Sequence, residues 1–231
     1  MTAPISVIIP TLNAADSLAA TADALLAGAT EGLVKELIIS DGGSDDGTDL
    51  IARELGALWC TGAKGRGGQL GRGIERASAP WLLLLHADTH LSEGWTSAVR
   101  AHMADHPDKA GWFRLAFRSD GVAPRLIARG ANLRSKVFDL PYGDQGLILP
   151  RTLLDASGGM PDLPLMEDVA LARQLKGRLK ELDATAFTSA DRYLRDGWAQ
   201  RVLRNLVTLA RYRLGARPED LAASYTRSPR S

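Results

Sequence analysis

The residues best suited to chemistry in this sequence are carboxylates that follow apolar runs. Asp88 ends the stretch Trp81-Leu82-Leu83-Leu84-Leu85-His86-Ala87-Asp88, Asp41 follows Leu33 to Ser40, and Glu167-Asp168 open a periodic segment. Asp41 begins Asp-Gly-Gly-Ser-Asp-Asp-Gly-Thr, where glycine lets backbone approach a ligand and carboxylates accept from base or ribose groups. So acidic a loop repels bare phosphate. A nucleoside diphosphate fits here only with its charge neutralised, by a divalent cation on oxygen ligands such as Asp88 and by an arginine, for which Arg66 is best placed. Each group also has a plainer reading: Asp41 as a solvated turn, Asp88 as a strand end or cap, Glu167-Asp168 as helix-start acidity. His86 reads as a buried neutral donor or as a metal ligand, and Asp144-Gln145 as hydroxyl binders or an ordinary turn.

The elements that must hold these groups follow an α/β rhythm. Five consecutive apolar residues, Trp81 to Leu85, suit a strand buried on both faces in a parallel sheet, whose ligands collect at the carboxyl edge. Before it, Ile5 to Ile9, Leu33 to Ser40 and Ala57 to Cys60 read as strands, alternating with helices over Ala15 to Ala27, around Leu50 to Leu55, and over Arg66 to Ala77. In such a sheet Asn13, Asp41 and Asp88 converge on one edge. Further on, helices are expected over Gly94 to His106, Pro124 to Val137, Glu167 to Lys176 and Gly197 to Leu214. Strands are expected over Trp112 to Phe117, Leu147 to Leu149 and Ala184 to Thr188. Arg227 to Ser231 reads as a frayed tail.

Composition narrows the class. A chain of 231 residues, 45% hydrophobic, can bury one full core, and we expect a single domain over 1–231. We divide it into a ligand-binding half (1–90), a second half (91–195) and a C-terminal amphipathic helix (197–214). Lys plus Arg 28 against Asp plus Glu 27 gives no global basic field, which argues against nucleic acid as a partner. Cys60 is the sole cysteine, so neither a disulfide framework nor a thiolate cluster is expected. No basic leader or spanning-length apolar run is visible, and a cytoplasmic protein, peripheral at the inner face of a membrane at most, is expected. Gly65-Arg66-Gly67-Gly68 lacks the dinucleotide spacing and follows the third strand, which excludes a dehydrogenase.

Pro10-Thr11-Leu12-Asn13, the Asp41 loop, Leu85-His86-Ala87-Asp88 and Glu167-Asp168 occur in the order and rough spacing of family-2 glycosyltransferases of the GT-A fold. This chain resembles that family over most of its length. Gly-Arg-x-x-Gln, Leu-His-Ala-Asp-Thr, Pro-Tyr-Gly-Asp-Gln-Gly and Pro-Leu-Met-Glu-Asp-Val look like the bacterial subgroup known as radical-SAM/selenodomain-associated transferase 2. The resemblance implies a Rossmann-like nucleotide-binding half with a mostly parallel sheet, a smaller acceptor-side half, and inverting sugar transfer from a nucleotide-diphosphate sugar, UDP-type favoured. It assigns Asp41 to the nucleoside, Asp88 to Mn2+ or Mg2+, and Asp168 to the acceptor hydroxyl as general base. Arg66 and Gln69 would lie along the donor, with Pro10, Thr11, Asn13, Ser44, His86, Ala87 and Arg192 around it; Asp144, Gln145 and Glu167 would face the acceptor. Two positions depart from the family pattern. His86 stands where its Asp-x-Asp metal motif has the first carboxylate, and Arg192-Tyr193 where it has Gln-x-x-Arg-Trp.

Chemistry agrees with these assignments, since displacement at an anomeric carbon needs a cation at the departing diphosphate and a base opposite. A helix start favours ionised Glu167 and Asp168. The acceptor is a small molecule or a lipid. In the last helix Trp198, Val202, Leu203, Leu206, Val207, Leu209 and Ala210 cover half the wheel, with Arg201, Arg204 and Arg211 opposite. That face suits packing on the domain, a homodimer contact, or peripheral membrane attachment. Two alternatives remain: a sugar-phosphate nucleotidyltransferase, which would carry an Arg-containing glycine loop after the first strand, and an inactive nucleotide-sugar-binding module.

Overall fold

Unbroken apolar runs leave no face for water, and they form the middle of the sheet. In the computed structural model, which describes residues 3–226, β1 (Ile5–Thr11) and β4 (Trp81–Leu84) are buried along their whole length. β1 lies between β4 and β2 (Val34–Asp41), parallel to both, and β3 (Leu58–Thr61) continues the parallel run beyond β2. Helices α1 (Ala15–Asp23), α2 (Leu26–Thr30), α3 (Thr48–Glu54) and α4 (Arg66–Arg76) make the crossovers. Side chains alternate across the sheet into two cores. Val7, Ile9 and Leu83 pack with Trp95, while Ile8, Leu82 and Leu84 pack with Leu70 and Ile74 of α4.

The second half comprises β5 (Thr89–Leu91), α5 (Trp95–Asp105), β6 (Ala110–Phe117), α6 (Val122–Phe138), β7 (Leu147–Pro150), α7 (Arg151–Ala156), α8 (Glu167–Gln174) and β8 (Leu179–Thr188). Then come α9 (Asp191–Asp196), α10 (Trp198–Arg213) and α11 (Pro218–Thr226). The strand order is β3-β2-β1-β4-β7-β6-β8-β5. β7 runs antiparallel to β4 and β6, and β5 antiparallel to β8, while β6 and β8 are parallel. The sheet is therefore parallel on the side predicted to bind the ligand and mixed beyond β4. The expected α/β architecture of the GT-A type stands.

Several boundaries differ from the sequence reading for identifiable reasons. The helix expected over 15–27 breaks into α1 and α2 because the Trp95 indole takes the Ala24 carbonyl at 3.2 Å and Gly28 N–H bonds Leu25 instead. β8 starts at Leu179, five residues early: exposed Lys180, Glu181 and Asp183 mask its alternation between the buried Leu179, Leu182 and Ala184. The short α7, α9 and α11 and the three-residue β5 carry too few periods to be read. The tail at 227–231 lies outside the described residues. α10 departs from an ordinary surface helix: Arg201 and Thr208 are buried and Leu203, Leu206 and Val207 exposed, although Trp198, Leu209 and Tyr212 pack inward.

Candidate functional site

Register builds the first wall. Thr11 and Asp41 are paired at the carboxyl ends of β1 and β2, and Asp41 is buried. One Asp41 oxygen accepts from Gly43 N–H at 2.7 Å and Ser44 N–H at 2.8 Å; the other accepts from the Thr11 hydroxyl at 2.8 Å and the Ser44 hydroxyl. Burial alone would raise its pKa, but these donors outweigh it and hold the carboxyl below the usual range. Asn13, in the left-handed region at φ 50°, stitches the neighbouring loop: its amide oxygen accepts from Asp45 N–H and its own N–H donates to Ser44 Oγ. Asp41 and Ser44 thus shape the loop, and their acceptor capacity is spent within it.

The second wall is the start of α4. Gln69 is buried; its amide donates to the Thr11 and Ser40 carbonyls at 2.7 and 3.0 Å and accepts from Gly65 N–H. It locks α4 to the strand ends. Gly67 explains the glycine-rich run: a Cβ there would lie 2.3 Å from the Pro161 carbonyl oxygen and 2.5 Å from Leu163 N. These glycines let the helix start press against the 161–163 backbone, and Gly67 N–H donates to the Leu163 carbonyl. Arg66 then reaches inward, with Nε 3.0 Å from Glu167 Oε1 and Nη1 3.3 Å from His86 Nε2. A guanidinium only donates, so His86 Nε2 accepts and the imidazole carries its proton on Nδ1. Burial, reinforced by the Arg66 charge, holds the His86 pKa well below its ordinary value and keeps the ring neutral.

The third wall combines two loops. Met166 adopts φ 67°, ψ 18°, a left-handed conformation in a non-glycine residue directly ahead of Glu167 and Asp168. The two carboxylates diverge. Glu167 is 1% exposed and turned to Arg66, with Oε2 buried and without a hydrogen-bond partner. Burial pushes its pKa up to about 7 despite Arg66, against the lowering that a helix start favours. Asp168 turns to the cavity, its Oδ2 accepting from Gly143 N–H at 2.8 Å and its Oδ1 from Val169 N–H at 2.7 Å. Gly143 sits close beneath His86, where a Cβ would lie 2.5 Å from Nε2. Beside it, Asp144 Oδ1 is buried without a partner, and burial raises the Asp144 pKa to about 6. Gln145 is fully buried, bonded to Ser135, Arg134, Asn132 and the Tyr142 N–H, and so braces the loop rather than facing a ligand.

These walls enclose a cleft of about 650 Å3 lined by Pro10, Thr11, Asn13, Arg66, Gln69, His86, Ala87, Asp88 and Arg192. A smaller cavity of about 120 Å3, lined by Asp144, Asp168, Tyr142 and Tyr193, shares Arg66, His86, Asp88 and Arg192 with it. The structure thus brings most of the sequence-derived residues together, leaves Asp41, Gln145 and Glu167 behind the surface, and keeps the half-buried Ser44 in the Asp41 loop. Asp88 borders both spaces, and among the described residues its carboxylate has no hydrogen-bond partner. Among the described residues no three acidic, histidine or cysteine side chains cluster as an all-protein metal cage. Asp88 together with the orphaned Asp144 oxygen nonetheless fits a hard cation that takes its other ligands from a diphosphate and water. Two contributors escaped the sequence reading. Arg118 donates to the Asp88 carbonyl at 3.2 Å, one arginine among many in the sequence, and the left-handed Met166 leaves no mark in residue type.

Comparison with known proteins bears on the family and the fold. Residues 6–160 match the family model described as glycosyl transferase family 2. PGL/p-HBAD biosynthesis glycosyltransferases of Mycobacterium tuberculosis and Mycobacterium bovis are 37% identical over 150 residues, covering 61% of this chain and 54% of theirs. The chain spans about half the length of these curated relatives. Among solved structures, S. aureus TarS 1-349 in complex with UDP-GlcNAc superposes with a TM-score of 0.63 at 17% identity, covering 80% of this chain and 58% of that one. Glucosyl-3-phosphoglycerate synthase from Mycobacterium tuberculosis, in complex with Mn2+, UDP and glucosyl-3-phosphoglycerate, gives 0.59 at 19% identity, covering 89% and 79%. At these identities the likeness is one of fold.

Proposed function

Because this chain belongs to glycosyl transferase family 2, we propose that it moves a sugar, with inversion, from a nucleotide-diphosphate donor of the UDP type to an acceptor hydroxyl. The observation that carries the reading is that Asp88 and Asp168 line one cavity together with Arg66 and His86. The donor occupies the larger cleft along Pro10, Thr11, Asn13 and Ala87, with Arg192 on its rim. Asp41 and Ser44 act at the nucleoside end by shaping the loop that bounds it. Asp88 holds Mn2+ or Mg2+, which, when bound, neutralises the diphosphate as it departs. Arg66 adds a fixed positive charge on the shared wall, anchored by Glu167 and by the His86 lone pair. That wall then keeps positive charge where the family pattern has a carboxylate and this chain has His86.

Asp168 faces the opposite side. Its two backbone donors fix the carboxylate's orientation and leave lone pairs for an acceptor O–H, whose proton it takes as the oxygen attacks. Asp144 lies beside it as a second contact for cation or acceptor. The acceptor is a small molecule or a lipid, and contact with a membrane or a second copy falls to the C-terminal helix. The test is a thermal-shift screen of nucleoside diphosphates and nucleotide sugars with and without Mn2+, since a selectively bound donor stabilises the fold by mass action. A metal-dependent rise with UDP is expected. No rise with any nucleotide overturns the donor half of the reading, and binding without transfer across a broad acceptor panel favours a binding module.

A further inference from the structure

α6 and α10 are neighbours on the surface, and both turn an apolar stripe toward solvent. On α6, Val122, Leu126, Leu133 and Val137 recur at helical spacing and are between 59% and 72% exposed. On α10, Leu203, Leu206 and Val207 do the same, and Leu214 just beyond is 88% exposed. The inward side of α10 mixes the polar Arg201, Asn205 and Thr208 with Leu209 and Tyr212, which pack on the core. Arg201 is 6% exposed and bonded to Asp196 at 3.0 Å, and with Asn205 it lines the cavity beside Asp168. A helix facing only water buries its apolar side, so two adjacent outward stripes mark a surface that something covers.

Charge selects the occupant. α6 and α10 contain eight of the chain's 28 Lys and Arg and none of its 27 Asp and Glu, although the whole chain carries a net charge of only +1. Arg125, Arg129, Lys136, Arg211 and Arg213 are exposed on these helices. A second copy docking through the same faces would oppose like charges. We propose that the α6–α10 surface docks on an anionic lipid bilayer, its leucines and valines entering the acyl boundary and its arginines meeting the headgroups. The inference does not depend on the transfer reading. If both hold, α10 has one face on the bilayer and the other on the cavity beside Asp168, which suits a lipid acceptor.

The test is co-sedimentation of the full chain with phosphatidylcholine vesicles, with and without phosphatidylglycerol. Binding is expected only with phosphatidylglycerol, weakening as salt rises. Leu126→Glu with Leu206→Glu should lower vesicle affinity about tenfold or more while leaving the thermal unfolding curve in place, because both side chains are exposed. Arg125→Glu with Arg129→Glu, which keeps the apolar stripes, should weaken binding as well and reduce its salt dependence. Failure to bind either vesicle, or binding that both variants leave unchanged, overturns the proposal. So does a wild-type dimer in light scattering that Leu206→Glu dissolves, since the occupant is then a second copy.

Discussion

On the β1–β2 side of the cleft the two buried groups that shape the wall are saturated, Asp41 with four hydrogen bonds and Gln69 with three, although the Ser40 hydroxyl behind them is buried without a partner. Across the cleft, Asp144 Oδ1 and Glu167 Oε2 are buried without a partner, Met166 is left-handed, and burial raises both carboxyl pKa values. Unmet polar groups cost stability, so a fold retains them where a ligand or a reaction uses them. The saturated Asp41–Gln69 wall is a rigid frame for recognition; the side with unmet carboxylate oxygens is where a cation, an acceptor and a moving proton belong.

Substitutions can break this division. The largest effect is expected from Asp168→Asn, which cannot take a proton and keeps only one of the two backbone hydrogen bonds, since the amide nitrogen cannot accept from an N–H. Transfer from UDP-sugars should fall by about 100-fold or more while UDP affinity stays near wild type. If transfer persists near the wild-type rate, the base is another group, with Asp144 next. Asp88→Asn exchanges a charged oxygen ligand for a neutral amide. Calorimetry should show Mn2+-assisted UDP binding weakened about tenfold or more, with little change in the metal-free titration. Equal loss with and without metal would place Asp88 on the nucleotide instead.

Gly67→Ala tests the joint between the two sides. Its Cβ would strike the 161–163 backbone, which cannot swing away as a side chain tip can, so a loss of about 1–3 kcal/mol and a clear fall in Tm are expected. An unchanged Tm would mean the loop yields freely.

Changing pH separates the sides by sign. The Asp41 carboxyl is held below its unfolded value, so its stabilisation is present above about pH 4 and is lost as pH falls through its folded pKa. The Asp144 carboxyl is raised to about 6, so its penalty is absent below about pH 4 and grows until it is complete above that value. Stability measured without metal should therefore decline between about pH 4 and 7. Asp144→Asn should flatten that decline by a few degrees in Tm; an identical profile in the variant would remove Asp144 as its source. The smallest effect is expected at Met166→Gly. Glycine relieves the left-handed cost but loosens the unfolded chain, for a net change within about 1 kcal/mol. A drop well beyond that in chemical denaturation would mean the Met166 side chain itself holds the loop.

The two sides also differed in how much could be read in advance. Strands buried on both faces announce themselves as apolar runs, so β1, β2 and β4 and the carboxylates at their ends were visible, as was the pair Glu167-Asp168. What residue type does not encode is where a carboxylate spends its lone pairs. Asp41 and Gln145 look like ligand contacts in sequence, but Asp41 is absorbed by the N–H and hydroxyl donors around its own loop and Gln145 by Asn132, Arg134 and Ser135 of α6. Glu167 and Asp168 are adjacent and chemically alike, yet the backbone turn at Met166 sends one inward and the other to the cavity. The outward apolar stripe of α10 was legible as a stripe but not as outward, since periodicity gives a helix two faces without saying which meets the core.

In the proposed reaction the base, Asp168, and the cation on Asp88 act on opposite sides of the reacting carbon, with no covalent intermediate on the protein. Stereochemistry reads that geometry directly. Transfer from an α-linked UDP-sugar, followed by proton NMR of the first-formed product before it can equilibrate, should give a β-linked glycoside. An α-linked product would mean that two displacements occur or that the acceptor attacks from the donor's own face, and the assignment of Asp168 as the base opposite the diphosphate would be wrong.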